Sequence, residues 1–205
     1  MSGSTSAKSA FIPKTRVQVY FLEDNQRFKP LTNLIYKAKN GRVLVDNDMR
    51  FAFFSKASLA ILPHLFWRPD VMWCNDWQSV LVPAFYKQQY MNDEFYADMK
   101  SVLVVHNYEK EYLDIARNTF KNTGLEVPSS MKKGVVNAYE AAAEYVDLMI
   151  AIDSPQNQVS KKLLELPAIK KKKSKLLTIT HSGEESPHYN KVAARIDSGL
   201  QKLFS

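Results

Sequence analysis

Cysteine is almost absent from these 205 residues: Cys74 stands alone, which excludes an internal disulfide and any metal cluster built on thiolates. Glycine is scarce too, six in all, and neither GxGxxG nor a Walker loop occurs, so a glycine-rich phosphate cradle is excluded. There is no Ser-His-Asp order, no pair of carboxylates at motif spacing and no zinc spacing, and neither a metal nor a cofactor is expected. No apolar run approaches the roughly 20 residues that cross a bilayer, and no signal-peptide pattern opens the chain. What these absences leave is a soluble protein with no membrane partner, suited to a reducing cytoplasm and long enough for one domain with a sizeable core.

Charge is present but unevenly spread. The net charge is +7, and Lys170 to Lys173 with Lys175 place five positive charges within six residues. Such a run reads as a solvated loop between elements, with binding to phosphate or an acidic partner as the alternative. No arginine-aromatic interleaving accompanies it, so nucleic acid is not the expected partner.

Residues 1–15 open with a Ser, Ala and Lys mixture without periodicity and are expected to form a disordered tail, with the domain proper at 16–205. Arg16 to Leu22, RVQVYFL, reads as a strand, and Asn40-Gly41 as a turn before Arg42 to Val45, a short strand or extended loop. Asp46-Asn47-Asp48 supplies helix caps for MRFAFFSKASLAIL, whose Phe53, Ala57, Ala60 and Ile61 share one face; Pro63 marks its end. Val71 to Cys74 is a buried strand feeding a helix over 78–90, and Ser101 to Val105 is the next strand. After an irregular stretch at 118–128, residues 134–145 read as a helix and Asp147 to Ile152 as a strand. Ser154-Pro155 is expected to open a further helix that Pro167 closes, before a strand over Leu176 to Thr180 and a terminal helix over Tyr189 to Phe204.

Strands separated by helical segments require parallel pairing, so the expected fold is α/β, a doubly wound and mostly parallel sheet. Ligands of such sheets bind outside the carboxyl ends of the strands. Four polar clusters occupy those ends: Asn75-Asp76-Trp77, His106-Asn107, Asp153-Ser154 and His181-Ser182-Gly183. Each has a plain structural reading beside the functional one. Asp76 can serve as a helix cap, Trp77 as a core aromatic and His106 as a satisfied structural group. His181 and His188 read as surface residues.

Five segments, DNDMRFAFFSKASL, FWRPDVMWCNDWQSVLVPAFYK, KSVLVVHN, NAYEAAAEYVDLMIAIDSP and THSGEESPHYN, resemble in order the N-terminal domain of bacterial glycogen synthases and plant starch synthases. The resemblance spans about Val17 to Asn190. It implies a Rossmann-like domain, one half of a two-domain GT-B glycosyltransferase that moves glucose from ADP-glucose to the non-reducing end of an α-1,4-glucan with retention. Carried over by residue, it makes His106 the catalytic group near the donor glucose, and Asp76, Trp77 and Asn107 sugar- or acceptor-binding residues. Arg50, Asn75, Ser182 and Gly183 become positioning residues.

The departures matter as much. The family's KxGGL segment has no counterpart in this sequence, nor has the C-terminal domain with most of the nucleotide contacts. Asn75 stands where the family has histidine, and Ser182 replaces a donor-site asparagine. The resemblance therefore implies α-1,4-glucan and ADP-glucose as partners, with another chain or segment supplying the missing half, and it leaves turnover by this chain open. The alternative is a non-catalytic glucan-binding or regulatory module on the same fold.

Overall fold

Backbone pairing, more than side-chain burial, makes the first structure in the chain. In the computed structural model, which describes residues 5–28, 34–181 and 187–204, strand β1 (Thr5–Phe11) pairs antiparallel with β2 (Gln18–Asp24), from Thr5 against Asp24 to Phe11 against Gln18. Every residue of β1 is exposed. Within the segment expected to be a disordered tail, residues 5–11 form a strand that leaves no apolar alternation in the sequence, because no face of it is buried.

This hairpin belongs to the first of two compact units, residues 1–50 and 51–205. In the first unit, Asp24 is 1% exposed and accepts hydrogen bonds from the N–H groups of Gln26 and Arg27, the Thr5 hydroxyl and the Arg27 guanidinium. Burial alone would push its carboxyl up, but the Arg27 N–H, the Thr5 hydroxyl and the Arg27 charge together hold it below the usual range. Around Asn40-Gly41 the chain turns as expected, with Gly41 at φ +86° and Lys37 bridged to Val43.

Helix α1 (Asn47–Ala60) carries the chain into the second unit. There the order is β3 (Val71–Asn75), a short α2 (Val82–Phe85), β4 (Lys100–Val105), β5 (Asp114–Ala116), α3 (Arg117–Thr123), β6 (Val135–Asn137), α4 (Ala138–Ala143), β7 (Leu148–Asp153), α5 (Val159–Leu164), α6 (Pro167–Lys171), β8 (Leu176–Thr180) and α7 (Pro187–Phe204). Strands β3-β4-β7-β8 form a wholly parallel sheet in that order, the α/β arrangement expected of helix-separated apolar runs. One face carries Val102, Val104, Leu148, Ile150 and Ile179, covered by Val192, Ile196, Leu200 and Leu203 of α7. The other face, with Leu103, Val105, Met149 and Ala151, is equally buried, which is why these strands read as continuous apolar runs.

The secondary structure differs from expectation where local signals conflict. The helix expected over 78–90 is a 3-10 turn at Trp77–Ser79, the single turn α2 that contains Pro83, and a π turn at Tyr86–Tyr90. The stretch expected to be irregular holds α3, closed by Gly124 at φ +74°. The helix expected over 134–145 starts late, because Val135 and Val136 pair in β6 with β5 and Asn137 caps α4 by accepting the Tyr139 N–H. Ser154-Pro155 forms a turn instead of a helix start; α5 begins at Val159, where Asp153 accepts from the N–H and hydroxyl of Ser160. Pro167 opens α6 and closes nothing, as suits proline at a first helical position. The lysine run lies in α6 and a 3-10 turn, and Lys172 and Lys175 donate to the carbonyls of Glu144 and Val146 just past α4.

Ile150 is fully buried in the sheet core, so Ile150→Ala is expected to lower unfolding free energy by roughly 2–5 kcal/mol in a urea titration. Cys74 is 4% exposed, and burial pushes its thiol up to about 12 from an ordinary 9.0. It should resist a thiol reagent at pH 8 in the native state and react at once in denaturant. Because the folded value is the raised one, the thiol's contribution to stability is whole below the ordinary value and is lost as pH rises through the folded one.

Candidate functional site

Parallel register brings the strand ends level. Asn75 lies opposite Val104, Val105 opposite Ala151 and Asp153 opposite Thr180, so the loops after β3, β4, β7 and β8 leave from one edge. Asp76 is the first residue beyond β3. Its N–H still reaches across to the Val104 carbonyl at 2.8 Å, and its backbone then turns to φ +51°, a region costly for a residue with a side chain.

That turn aims the Asp76 carboxylate along the sheet edge. One oxygen, Oδ1, accepts the N–H of His106 at 2.7 Å and that of Asn107 at 3.3 Å. A carboxylate accepting from two successive backbone amides fixes the start of the β4 loop as a cap fixes a helix. The His106 ring lies within reach of the same strand end, with Nε2 3.3 Å from Asn75 Oδ1. An imidazole can donate or accept there according to its tautomer, so the contact ties the ring to the end of β3.

Two residues complete the arrangement that the sequence reading did not single out. Asn157, in the turn after β7, donates from Nδ2 to the His106 carbonyl at 3.1 Å and to Asn107 Oδ1 at 3.3 Å. Tyr139, fully buried in α4, donates its hydroxyl to the Asn107 carbonyl at 2.9 Å. Burial, and then the nearby Asp76 charge, push this phenol far up, so it stays protonated and keeps donating. The only sequence signal for Asn157 was its place four residues past a strand end; Tyr139 had none beyond its position after a helix cap.

The structure therefore gathers Asn75, Asp76, His106 and Asn107 into one hydrogen-bonded group, with His106, Asn107 and Asn75 exposed. Trp77, next in the chain after Asp76, is buried. Only 8% exposed, its indole stacks on Tyr112 at 5.3 Å and meets the edge of Phe51 at 4.8 Å, which leaves little face for a ligand. Arg50 belongs to the first unit, where it donates to the carbonyls of Arg27 and Ile35 and to Asn47 Oδ1. Ser182 and Gly183 lie outside the described residues. A groove of about 540 Å³ runs along β3 and is lined among others by Trp67, Trp73, Asn75, Gln78 and Phe54, without a charged side chain. Such a surface suits an uncharged, partly apolar ligand.

The family model for the starch synthase catalytic domain matches residues 2–157. A glycogen synthase of Chlorobium limicola is 32% identical over 144 residues, covering 69% of this chain and 29% of that protein. One from Vibrio parahaemolyticus is 49% identical over a shorter stretch of 70 residues, 34% of this chain and 14% of that protein. The chain thus spans less than a third of the length of the curated relatives it matches. Among solved structures, the catalytic domain of starch synthase IV from Arabidopsis thaliana, bound to ADP and acarbose, superposes with a TM-score of 0.63 at 18% identity, over 88% of this chain and 40% of that one. At that identity the likeness is one of fold.

The Asp76 clamp predicts a graded stability loss. Asp76→Ala removes both acceptor contacts and places alanine at positive φ, and should cost roughly 2–4 kcal/mol in chemical denaturation; Asp76→Asn keeps an acceptor oxygen and tolerates the φ, and should cost about 1 kcal/mol.

Proposed function

The chain belongs to the starch synthase catalytic domain family, and from that premise we propose that its strand-end edge is one wall of a glucosyltransferase site acting on an α-1,4-glucan. The observation that carries this reading is the His106-Asn107 pair. Its backbone is held from both sides at the sheet edge while its side chains face solvent, next to a groove of indoles and amides without charge. Aromatic faces and neutral hydrogen-bonding groups match a sugar, which offers hydroxyls and apolar ring faces and carries no charge.

In this reading His106 is the catalytic group beside the glucose of ADP-glucose. A fixed imidazole dipole there stabilises positive charge as the bond to the leaving group stretches toward an oxocarbenium-like state, and it needs no reorganisation to do so. Asn107 binds sugar hydroxyls. Asp76 acts through the backbone of both residues, and Trp77 anchors the chain after Asp76 by its packing on Phe51 and Tyr112. Asn75 positions the imidazole. Arg50, Ser182 and Gly183 remain proposed positioning residues, and further residues, of this or a partner chain, complete the nucleotide contacts. A reducing cytoplasm suits the lone Cys74 thiol. Among the described residues no helix is long and apolar enough to cross a membrane.

Calorimetric titration with maltoheptaose and, separately, ADP-glucose tests the reading. Maltoheptaose is expected to bind, and His106→Ala to weaken ADP-glucose binding about tenfold, roughly 1.4 kcal/mol. Absence of heat with either ligand at millimolar concentration would sink it. So would binding only to polyanions with steep salt dependence, which would move the function to the lysine run.

A further inference from the structure

The geometry points to Asn157 as a positioning residue that decides which end of the Asn107 amide meets the ligand, so that the site offers a donor there and takes a ligand oxygen. This rests on the glucan reading for the identity of the ligand, but the polarity follows from the hydrogen bonds alone.

Side-chain amides can be turned end for end, so a chain of amides is ambiguous until one end is anchored by a group with a single role. Here the anchor is the His106 carbonyl, which only accepts. It lies 3.1 Å from the Asn157 side chain, so the atom facing it must be the NH2 group of Asn157. The same NH2 lies 3.3 Å from the Asn107 side chain, which must therefore present its oxygen. The polarity passes from a main-chain carbonyl, through Asn157, to Asn107.

Asn157 is well held for this task. Its N–H donates to both the carbonyl and the hydroxyl of Ser154 at 3.1 Å, and its carbonyl accepts from the Ser154 N–H at 3.0 Å, closing the turn on itself. Every other polar group of Asn107 is also occupied: its N–H by Asp76, its carbonyl by the Tyr139 hydroxyl. What remains is its own NH2, two donors at an exposed position. A hydroxyl or ring oxygen satisfies such a donor. An ammonium or amide N–H does not, and would leave two donors facing each other.

Asn157→Asp reverses the relay. A carboxylate cannot donate to the His106 carbonyl or to Asn107 Oδ1, so Asn107 turns to offer it the NH2 and shows the ligand an oxygen. In wild type, nitrogen-15 spectra of the side-chain amides should show slow hydrogen exchange for the NH2 of Asn157 and fast exchange for that of Asn107; in Asn157→Asp the Asn107 NH2 should become protected. Maltoheptaose affinity should fall about tenfold in Asn157→Asp, less in Asn157→Ala, and not at all further when Asn157→Asp is added to Asn107→Ala.

Two results would overturn the inference: a protected Asn107 NH2 in wild type, or an equal affinity loss from Asn157→Asp with and without the Asn107 side chain. Circular dichroism of each variant checks that it folds. If wild type binds no maltoheptaose, the proposed function fails while the exchange measurement still decides the polarity, so the two failures are told apart.

Discussion

One carboxylate oxygen, Asp76 Oδ1, carries two backbone N–H bonds, and the arrangement of the candidate site depends on it. In a parallel sheet each strand end is bonded to its neighbours only up to the last ladder residue, and beyond that the loops are free to diverge. Asp76 prevents divergence between the first two. Its unfavourable φ is the local cost, set against two charge-assisted bonds and the burial of Trp77 directly after it. Removing the charge disturbs no core contact of the sheet, yet it releases the loop that holds His106.

The third strand end joins through a different chemistry. Asn157 reaches back with a neutral amide, and Tyr139 adds a hydroxyl from below, so the two residues at 106 and 107 are bonded from three elements. No charge other than that of Asp76 takes part. A neutral scaffold around an exposed imidazole leaves the field at the site to local dipoles, which suits an uncharged ligand and distinguishes this edge from the lysine-rich α6 region.

How much of this could be read in advance depended on burial. The strand over Leu176 to Thr180 was legible to the residue, and β3, β4 and β7 within one residue at each end, because strands covered on both faces leave unbroken apolar runs with polar stops. The stops themselves marked Asp76, His106 and Asn107, which the structure brings together. β1 was illegible since its side chains are all exposed and only its backbone pairs. Val135 and Val136 read as part of a helix that begins after them, and Pro155 imitates a helix start although α5 begins only at Val159, where the Ser160 N–H donates to Asp153 seven residues back. Asn157 and Tyr139 could not be found because their roles are contacts across 51 and 32 residues of chain, which no local pattern records.

The lone thiol, the indoles of Trp67 and Trp73 and the amides of Asn75 and Gln78 all lie along β3, and among the described residues that strand pairs on one side only, with β4. A sheet margin of this kind, apolar and without charge of its own, is the part of the molecule most inclined to self-association. The repulsion that opposes it comes from the chain's net charge of +7, to which the five lysines of the run between Lys170 and Lys175 contribute. Colloidal behaviour is thereby coupled to ionic strength: screening the net positive charge weakens the repulsion that holds two such margins apart.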